Sequence, residues 1–287
     1  MRSSIALYLL CCILLFSCQK EAGFSNNNNN NNGNAGGGST SGTLLVKTVT
    51  KEGSDSAITV YTYNSGKKII DEKSVGIIGG IDMGNEFRYY RNSSGIITSY
   101  TQINALFAMS GLDSVTTTVH YSTSSSKYTS TVQEISLYGF SVMDSSVFVY
   151  DGSGKIIRSD IYQSIPLTGI DYELTERVKY TYANGNISQY DFYDATGGTD
   201  DLIATRKSTY DTKTNPLQLN NEAFAIGRPD FISANNGTKV EFIDVNDPTS
   251  NQTITFTYTY NSNNRPITAT STQNPGAGIR TYKFYYQ

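Results

Sequence analysis

Between Thr253 and Tyr260 the chain alternates without a break: Ile254, Phe256, Tyr258 and Tyr260 are apolar, and threonine holds every position between them. A period of two is the signature of an antiparallel strand with one face in a core and the other in water. Val178, Tyr180 and Tyr182 repeat it against Arg177, Lys179 and Thr181, and Tyr282, Phe284 and Tyr286 repeat it near the C-terminus. Helical spacing is confined to 105–112 and 222–226, where one or two turns fit.

The alternating strands recur as hairpins, each with a strand ending in tyrosine, a polar turn, and a second strand opening on Ile or Pro. The clearest copies span 58–70, 87–98, 147–158, 178–190 and 254–269, with turn residues Gly66, Gly95, Gly154, Gly185 and Asn264. The glycine intervals of 29, 59 and 31 residues predict a unit of about 30 residues. A degenerate copy then falls at 121–129, with Ser124–Lys127 as its turn, and another at Tyr210-Asp211 with Asn215-Pro216. Glycine in these turns supplies the positive φ that tight loops require. The prediction is an all-β fold, an antiparallel hairpin array (meander) whose twisted sheet either stays open or curls into a partial barrel.

The N-terminus breaks this pattern. Arg2, an apolar run from Ile5 to Phe16 and Ser17 before Cys18 read as a signal peptide, since a dozen residues fall short of the roughly 20 of a spanning helix. Leu15-Phe16-Ser17-Cys18 resembles the bacterial lipobox, which implies cleavage before Cys18 and lipidation of its thiol. The expected organisation is a signal peptide at 1–17, lipidated Cys18 with an Asn- and Gly-rich tether at 18–42, and one hairpin domain at 43–287. The tether holds the run Asn26–Asn32 and nothing apolar larger than alanine beyond Ser25, so it is expected to be disordered.

Composition narrows the chemistry. Cys11, Cys12 and Cys18 are the three cysteines, so the domain has no thiol for a disulfide, a metal or nucleophilic catalysis. Trp is absent, while 22 Tyr and 12 Phe supply the bulk. The formal charge of -3, with no basic run, argues against nucleic acid and against electrostatic docking on anionic lipid.

His120, the single histidine, falls on the threonine face of its strand, and no Gly-x-Ser-x-Gly elbow accompanies it. Asp191, Asp194, Asp200 and Asp201, and separately Asp244 and Asp247, gather hard oxygens in loops without EF-hand spacing; aspartate equally builds turns. Asp160, Asp171, Glu173 and Glu176 offer carboxylates for a glycosidase without a pairing signature. Tyr180, Tyr182, Tyr258 and Tyr260 end strands near their turns, where ring faces and hydroxyls suit a sugar or peptide. They are the candidate ligand-binding residues, with cross-strand packing as the alternative.

The Tyr-x-Tyr-Asn/Asp, Gly and Ile sequence resembles the YD or RHS-type hairpin repeats of bacterial surface and toxin proteins. Lys67, Ile96, Lys155 and Asn186 stand where those repeats carry arginine. The C-terminal third, through Phe231-Ile232-Ser233, Lys239-Val240-Glu241 and Arg265-Pro266-Ile267, resembles a domain of unknown function common in lipoproteins of Bacteroidota. That resemblance implies a lipid-anchored, β-rich envelope protein with no catalytic residues to carry over. Gln19-Lys20-Glu21 is similar to the short signal that sends such lipoproteins to the cell surface. The sequence therefore predicts an outer-membrane or surface lipoprotein, bound to the membrane through its lipid. It acts as a non-enzymatic binding module for a glycan or protein, with no cofactor and no metal site. The alternatives are an envelope hydrolase using paired carboxylates and a purely structural component.

Overall fold

A computed structural model describes residues 43–137, 140–165, 170–276 and 278–287. Cys18, the signal region and residues 18–42 lie outside them. The strands are β1 (Leu45–Glu52), β2 (Asp55–Tyr63), β3 (Ile69–Ile78), β4 (Ile81–Asp82), β5 (Asn85–Arg91), β6 (Ile97–Asn104), β7 (Val115–Ser122), β8 (Lys127–Leu137) and β9 (Phe140–Tyr150). The second half adds β10 (Ile156–Ile165), β11 (Ile170–Ala183), β12 (Asn186–Asp194), β13 (Asp201–Thr214), β14 (Asn235–Asp244), β15 (Gln252–Tyr260), β16 (Pro266–Asn274) and β17 (Arg280–Tyr286). Two short helices, α1 (Ala105–Met109) and α2 (Glu222–Ala225), occupy the two stretches of helical spacing.

Successive strands pair antiparallel, and β17 returns to pair with β1, so the meander closes into a barrel of 16 strands. Closure removes the sheet edges that an open meander would expose. The two-residue β4 pairs only with the end of β3 and stands outside the ring.

The repeat has a mechanical explanation at the end of the barrel where the tight turns gather. Four of these turns open on an Asx residue whose side chain accepts backbone N–H groups further along the turn. Asn64 takes the N–H of Lys68, Asn92 those of Ser94 and Ile96, Asp151 those of Ser153 and Lys155, and Asn261 those of Asn263 and Arg265. The fourth turn residue is left-handed: Gly95 at φ 74°, Gly154 at 86° and Asn264 at 59°. The first hairpin departs from expectation, because Lys67 (φ 60°), not Gly66, occupies that position.

Beside each turn the register shifts by one residue, between Thr62 and Tyr63, Tyr90 and Arg91, Thr181 and Tyr182, and Thr259 and Tyr260. The bulge turns the residue that opens the second strand inward, and Ile69, Ile97, Ile156, Ile187 and Pro266 are buried. Burial at these strand openings, and at Leu45 and Tyr128, keeps water from main-chain carbonyls, so partners must come from the protein. A tyrosine of the neighbouring hairpin supplies the donor. The hydroxyl of Tyr63 bonds the Leu45 carbonyl, Tyr150 that of Tyr128, Tyr182 that of Ile156, Tyr210 that of Ile187 and Tyr286 that of Pro266, at 2.6–2.7 Å. Arg91 replaces the tyrosine in one hairpin and bonds the Ile69 carbonyl with Nη2 at 3.1 Å.

One expected hairpin is absent. After Tyr210-Asp211 the chain makes no tight turn at Asn215-Pro216; residues 215–234 enter the barrel before β14 begins. Asn215 N–H bonds the Ala234 carbonyl and Leu219 N–H that of Phe231, tying the two limbs of the insertion together. Ala223, Phe224, Ala225 and Ile226 are buried within it. A barrel of this strand number is wider than facing side chains alone can fill, and the insertion supplies the missing volume.

Candidate functional site: the plugged lumen

The insertion touches the wall on many sides. Phe224 meets Tyr180 of β11 edge-on at 4.9 Å and Phe148 of β9 at 6.2 Å between ring centroids. Asn221 donates to the Gly154 carbonyl in the β9–β10 turn. The plug carries three charges, and each meets its opposite on the wall. Glu222 takes a two-pronged contact from Arg91 of β5 at 2.5 and 2.8 Å, with both side chains almost wholly buried. Arg228 faces Glu72 of β3 at 3.2 Å and lies over the Phe87 and Phe231 rings. Asp230 pairs with Arg206 of β13 at 2.8 Å and accepts the Tyr190 hydroxyl at 2.6 Å. Burial by itself would raise the Asp230 pKa; Arg206 overrides it and holds the carboxyl below its ordinary value. These are charge-assisted bonds in a dry setting, where removing one partner strands the other.

The four candidate tyrosines all face this interior. Tyr180 donates to Ser159 Oγ at 2.9 Å, Tyr182 to the Ile156 carbonyl, Tyr258 to the Gly237 carbonyl at 2.9 Å, and Tyr260 to Asp211 Oδ2. Their rings are half-buried, and burial raises the hydroxyl pKa of Tyr182, Tyr258 and Tyr260. A ligand reaching them has to enter the lumen. Tyr180 and Tyr182 line the side the plug occupies. Tyr258 and Tyr260 belong to a second aromatic row with Phe256 and Tyr282.

Toward the opposite end the lumen wall turns polar. Glu176 of β11 stands directly across from Asp194 of β12, and Asp144 of β9 faces Gln163 of β10. Burial first, then Asp144 and Asp194, push the Glu176 pKa up to about 7. Asp160 lies on the other face of the same sheet, held by Arg177 at 2.7 Å and Arg158 at 2.9 Å, so Asp160 and Glu176 do not share a cleft. Asp171 and Glu173 are exposed beyond them.

The acidic loops are likewise occupied by protein contacts. Asp191 accepts from Gln189 and Thr205, Asp194 from the Thr196 N–H, and Asp200 bridges Arg177 and Lys179. Asp244 and Asp247 close backbone turns. Among the described residues no group of three His, Cys, Asp or Glu is placed to hold a metal ion. His120 is exposed on β7, opposite Ser130 of β8. A surface depression of about 600 Å³ lies against β3 and β5 and includes Asp71, Arg88, Tyr90 and Asn92.

Across β10–β16 the outer wall is largely polar. Threonines pair hydroxyl to hydroxyl across β15 and β16, at 2.7 Å for Thr255–Thr272 and 2.6 Å for Thr259–Thr268. Across β10–β14 the outward rows carry Arg158, Asp160, Arg177, Lys179, Lys239 and Glu241. Among the described residues no helix is long and apolar enough to cross a membrane. A strand wall that met lipid would instead present an apolar band about 25 Å tall.

No protein-family model matches the sequence, and no curated protein matches it. Among solved structures, a porin-like protein from Bacteroides uniformis is similar over 86% of this chain and 99% of its own, with a TM-score of 0.51 and 12% identity. A porin-like protein from Bacteroides vulgatus is similar over 85% of this chain and 99% of its own, with a TM-score of 0.47 and 13% identity. The chain is thus a closed antiparallel β-barrel that shares its fold with a porin-like protein of Bacteroides.

Proposed function

We propose that this protein is a lipid-anchored component of the bacterial envelope whose barrel sits in water and acts as a non-enzymatic binding or interaction module. The observation that carries the reading is the pairing of a plugged interior with a charged outer wall. Each arginine or lysine on a lipid-facing wall costs about 2–4 kcal/mol near the bilayer midplane, and Arg177 and Lys179 on one strand would face lipid together. Buried pairs such as Arg91–Glu222 cross the lumen where a conducting pore needs water. The fold likeness to a porin-like protein of Bacteroides supports an envelope setting, and the lipobox-like Ser17-Cys18 supplies attachment without a spanning wall. The partner class in this reading is a glycan or a protein.

Detergent phase separation tests it in cells fed a labelled fatty acid. The wild type is expected to take up label and enter the detergent phase. A Cys18→Ala chain is expected to lose the label and move to the aqueous phase. If the Cys18→Ala chain still partitions with detergent and conducts ions across a planar bilayer, the barrel itself spans the membrane and the reading is wrong.

A further inference from the structure

Closure of the barrel gathers side chains that are scattered in the sequence. Val49 of β1 lies opposite Ile58 of β2 on one side and Lys283 of β17 on the other; Ile58 in turn lies opposite Val75 of β3. One row further, Lys47 is opposite Val60, and Val60 opposite Lys73. Ile77 and Lys51 complete the group. Val75 is 50% exposed, Val60 43%, Ile77 39% and Ile58 38%, so four large aliphatic side chains stand in water on two adjacent strands. Contiguous exposed apolar surface rimmed by polar groups marks a site of association.

The rim is basic. Lys73 pairs with Glu86 at 3.1 Å, and Lys47 lies over the Tyr285 ring at 4.3 Å. Among the described residues Lys47, Lys51 and Lys283 make no ion pair. Across β10–β14 the outer wall does the opposite, setting Arg158 and Arg177 against Asp160, Lys179 against Asp200 and Lys239 against Glu241. On the β3 side Asp71 and Glu86 stand beside Lys73. On the β1 and β17 side the aliphatic side chains are flanked by lysines without carboxylate partners among the described residues, an arrangement that complements a surface apolar below and anionic above.

We propose that this face of β1, β2, β3 and β17 docks on the head-group surface of an anionic phospholipid bilayer, with Val49, Ile58, Val60, Val75 and Ile77 entering among the head groups and Lys47, Lys51 and Lys283 meeting phosphates. The docking deepens the lipoprotein reading and rests on it for the nearby membrane. Residues 18–42 separate Cys18 from the domain, a length that reaches at most about 85 Å when extended. Any shorter span lets β1 fold back onto the membrane that holds the lipid. Opposite charge at the surface and apolar insertion reinforce one another in such contacts.

The test uses the chain from residue 18 onward carrying Cys18→Ala, so that neither an acyl group nor the apolar run from Ile5 to Phe16 contributes. In flotation, this chain is expected to rise with vesicles of phosphatidylethanolamine and phosphatidylglycerol, to stay behind with vesicles of phosphatidylcholine alone, and to be released by salt. Lys51→Glu with Lys283→Glu is expected to lower the partition coefficient about tenfold or more. Ile58→Ser with Val75→Ser is expected to lower it similarly with an unchanged melting temperature. Equal flotation with both vesicle types, no flotation with either, or flotation indifferent to both double variants overturns the proposal. So does a concentration-dependent dimer abolished by Ile58→Ser with Val75→Ser, which assigns the face to a second copy. Loss of fatty-acid labelling in the wild type would defeat the anchor alone, because the vesicle result is read on a chain without it.

Discussion

Tyr182→Phe isolates the hydroxyl that the hairpin repeat places on its neighbour. Tyr182 donates at 2.7 Å to the carbonyl of Ile156, a residue with 0% exposure that lies beside the register shift between Ile156 and Arg158. Phenylalanine keeps the ring and its place beside Lys155, whose ammonium lies 5.3 Å from the ring centroid. What changes is one buried acceptor left without a donor. Such an orphan costs about 1–3 kcal/mol, more than the net worth of an ordinary hydrogen bond, because water cannot reach it. In a domain of this length each kcal/mol lowers the melting temperature by about 2–4 °C. Urea unfolding of the mature chain should therefore show a lower midpoint at unchanged slope. Tyr90→Phe serves as the control, since Tyr90 is 48% exposed on the outer wall, and should change stability by less than about 0.5 kcal/mol. Tyr63→Phe removes the equivalent bond to Leu45 and shares no partner with Tyr182, so the double variant should lose the sum within about 0.5 kcal/mol. If Tyr182→Phe is as stable as Tyr90→Phe, the latch contributes nothing and the tyrosine of the repeat is there for its ring alone.

The plug should depend on its charges: Glu222→Gln strands Arg91 in a buried site and is expected to cost about 3–5 kcal/mol and to speed amide exchange across 215–234, whereas wild-type exchange there would refute it. Glu176, with its folded pKa near 7 against the ordinary glutamate value, keeps a proton in the folded state that the unfolded chain has released. Its contribution to stability is therefore full below the unfolded value and falls as pH rises through about 7, and Glu176→Gln should flatten that part of the curve and gain on the wild type at pH 8. At the turns, Gly154→Ala, at φ 86°, is expected to lose about 1 kcal/mol by calorimetry, and Lys67→Gly, at φ 60°, to gain somewhat less.

Alternation and turn chemistry made the meander legible in the sequence. Ile254, Phe256, Tyr258 and Tyr260 face inward as their spacing requires, and the turns fall at Asn92–Gly95, Asp151–Gly154 and Asn261–Asn264. Closure was not legible, because an open sheet and a barrel demand the same period of two; the difference is the single seam between β1 and β17. The plug occupies a stretch where the repeat predicts one more hairpin, since Tyr210-Asp211 and Asn215-Pro216 fall where a 30-residue unit places a turn. The available signal lay just beyond, where apolar Leu217, Leu219, Phe224 and Ile226 lose the strand period while Glu222, Arg228 and Asp230 sit among them. Charges inside an apolar stretch are affordable only opposite their counterparts, and those counterparts, Arg91, Glu72 and Arg206, come from three other hairpins. The tyrosines lie on the inward face that their alternation predicts. Their nearness to strand ends suggested accessible hydroxyls, and the bulges, which no composition reveals, instead give several of those hydroxyls carbonyls to satisfy.

The seam also determines what the outer surface can do. β1 and β17 are the first and last strands, so their pairing alone places Lys283 beside Val49 and brings both next to Ile58 and Val75. A chain with no basic run thereby acquires three lysines without carboxylate partners around an aliphatic centre. The same closure puts the beginning of β1, where residues 18–42 arrive, in the wall that carries this face. In the proposed reading, a lipid on Cys18 and a face on β1 to β3 make two contacts to one bilayer joined by residues 18–42, and the second engages at the effective concentration set by the first. Weak intrinsic affinity of the face suffices in that arrangement, which is why the decisive measurement is made on the unlipidated chain, where only the side chains can act.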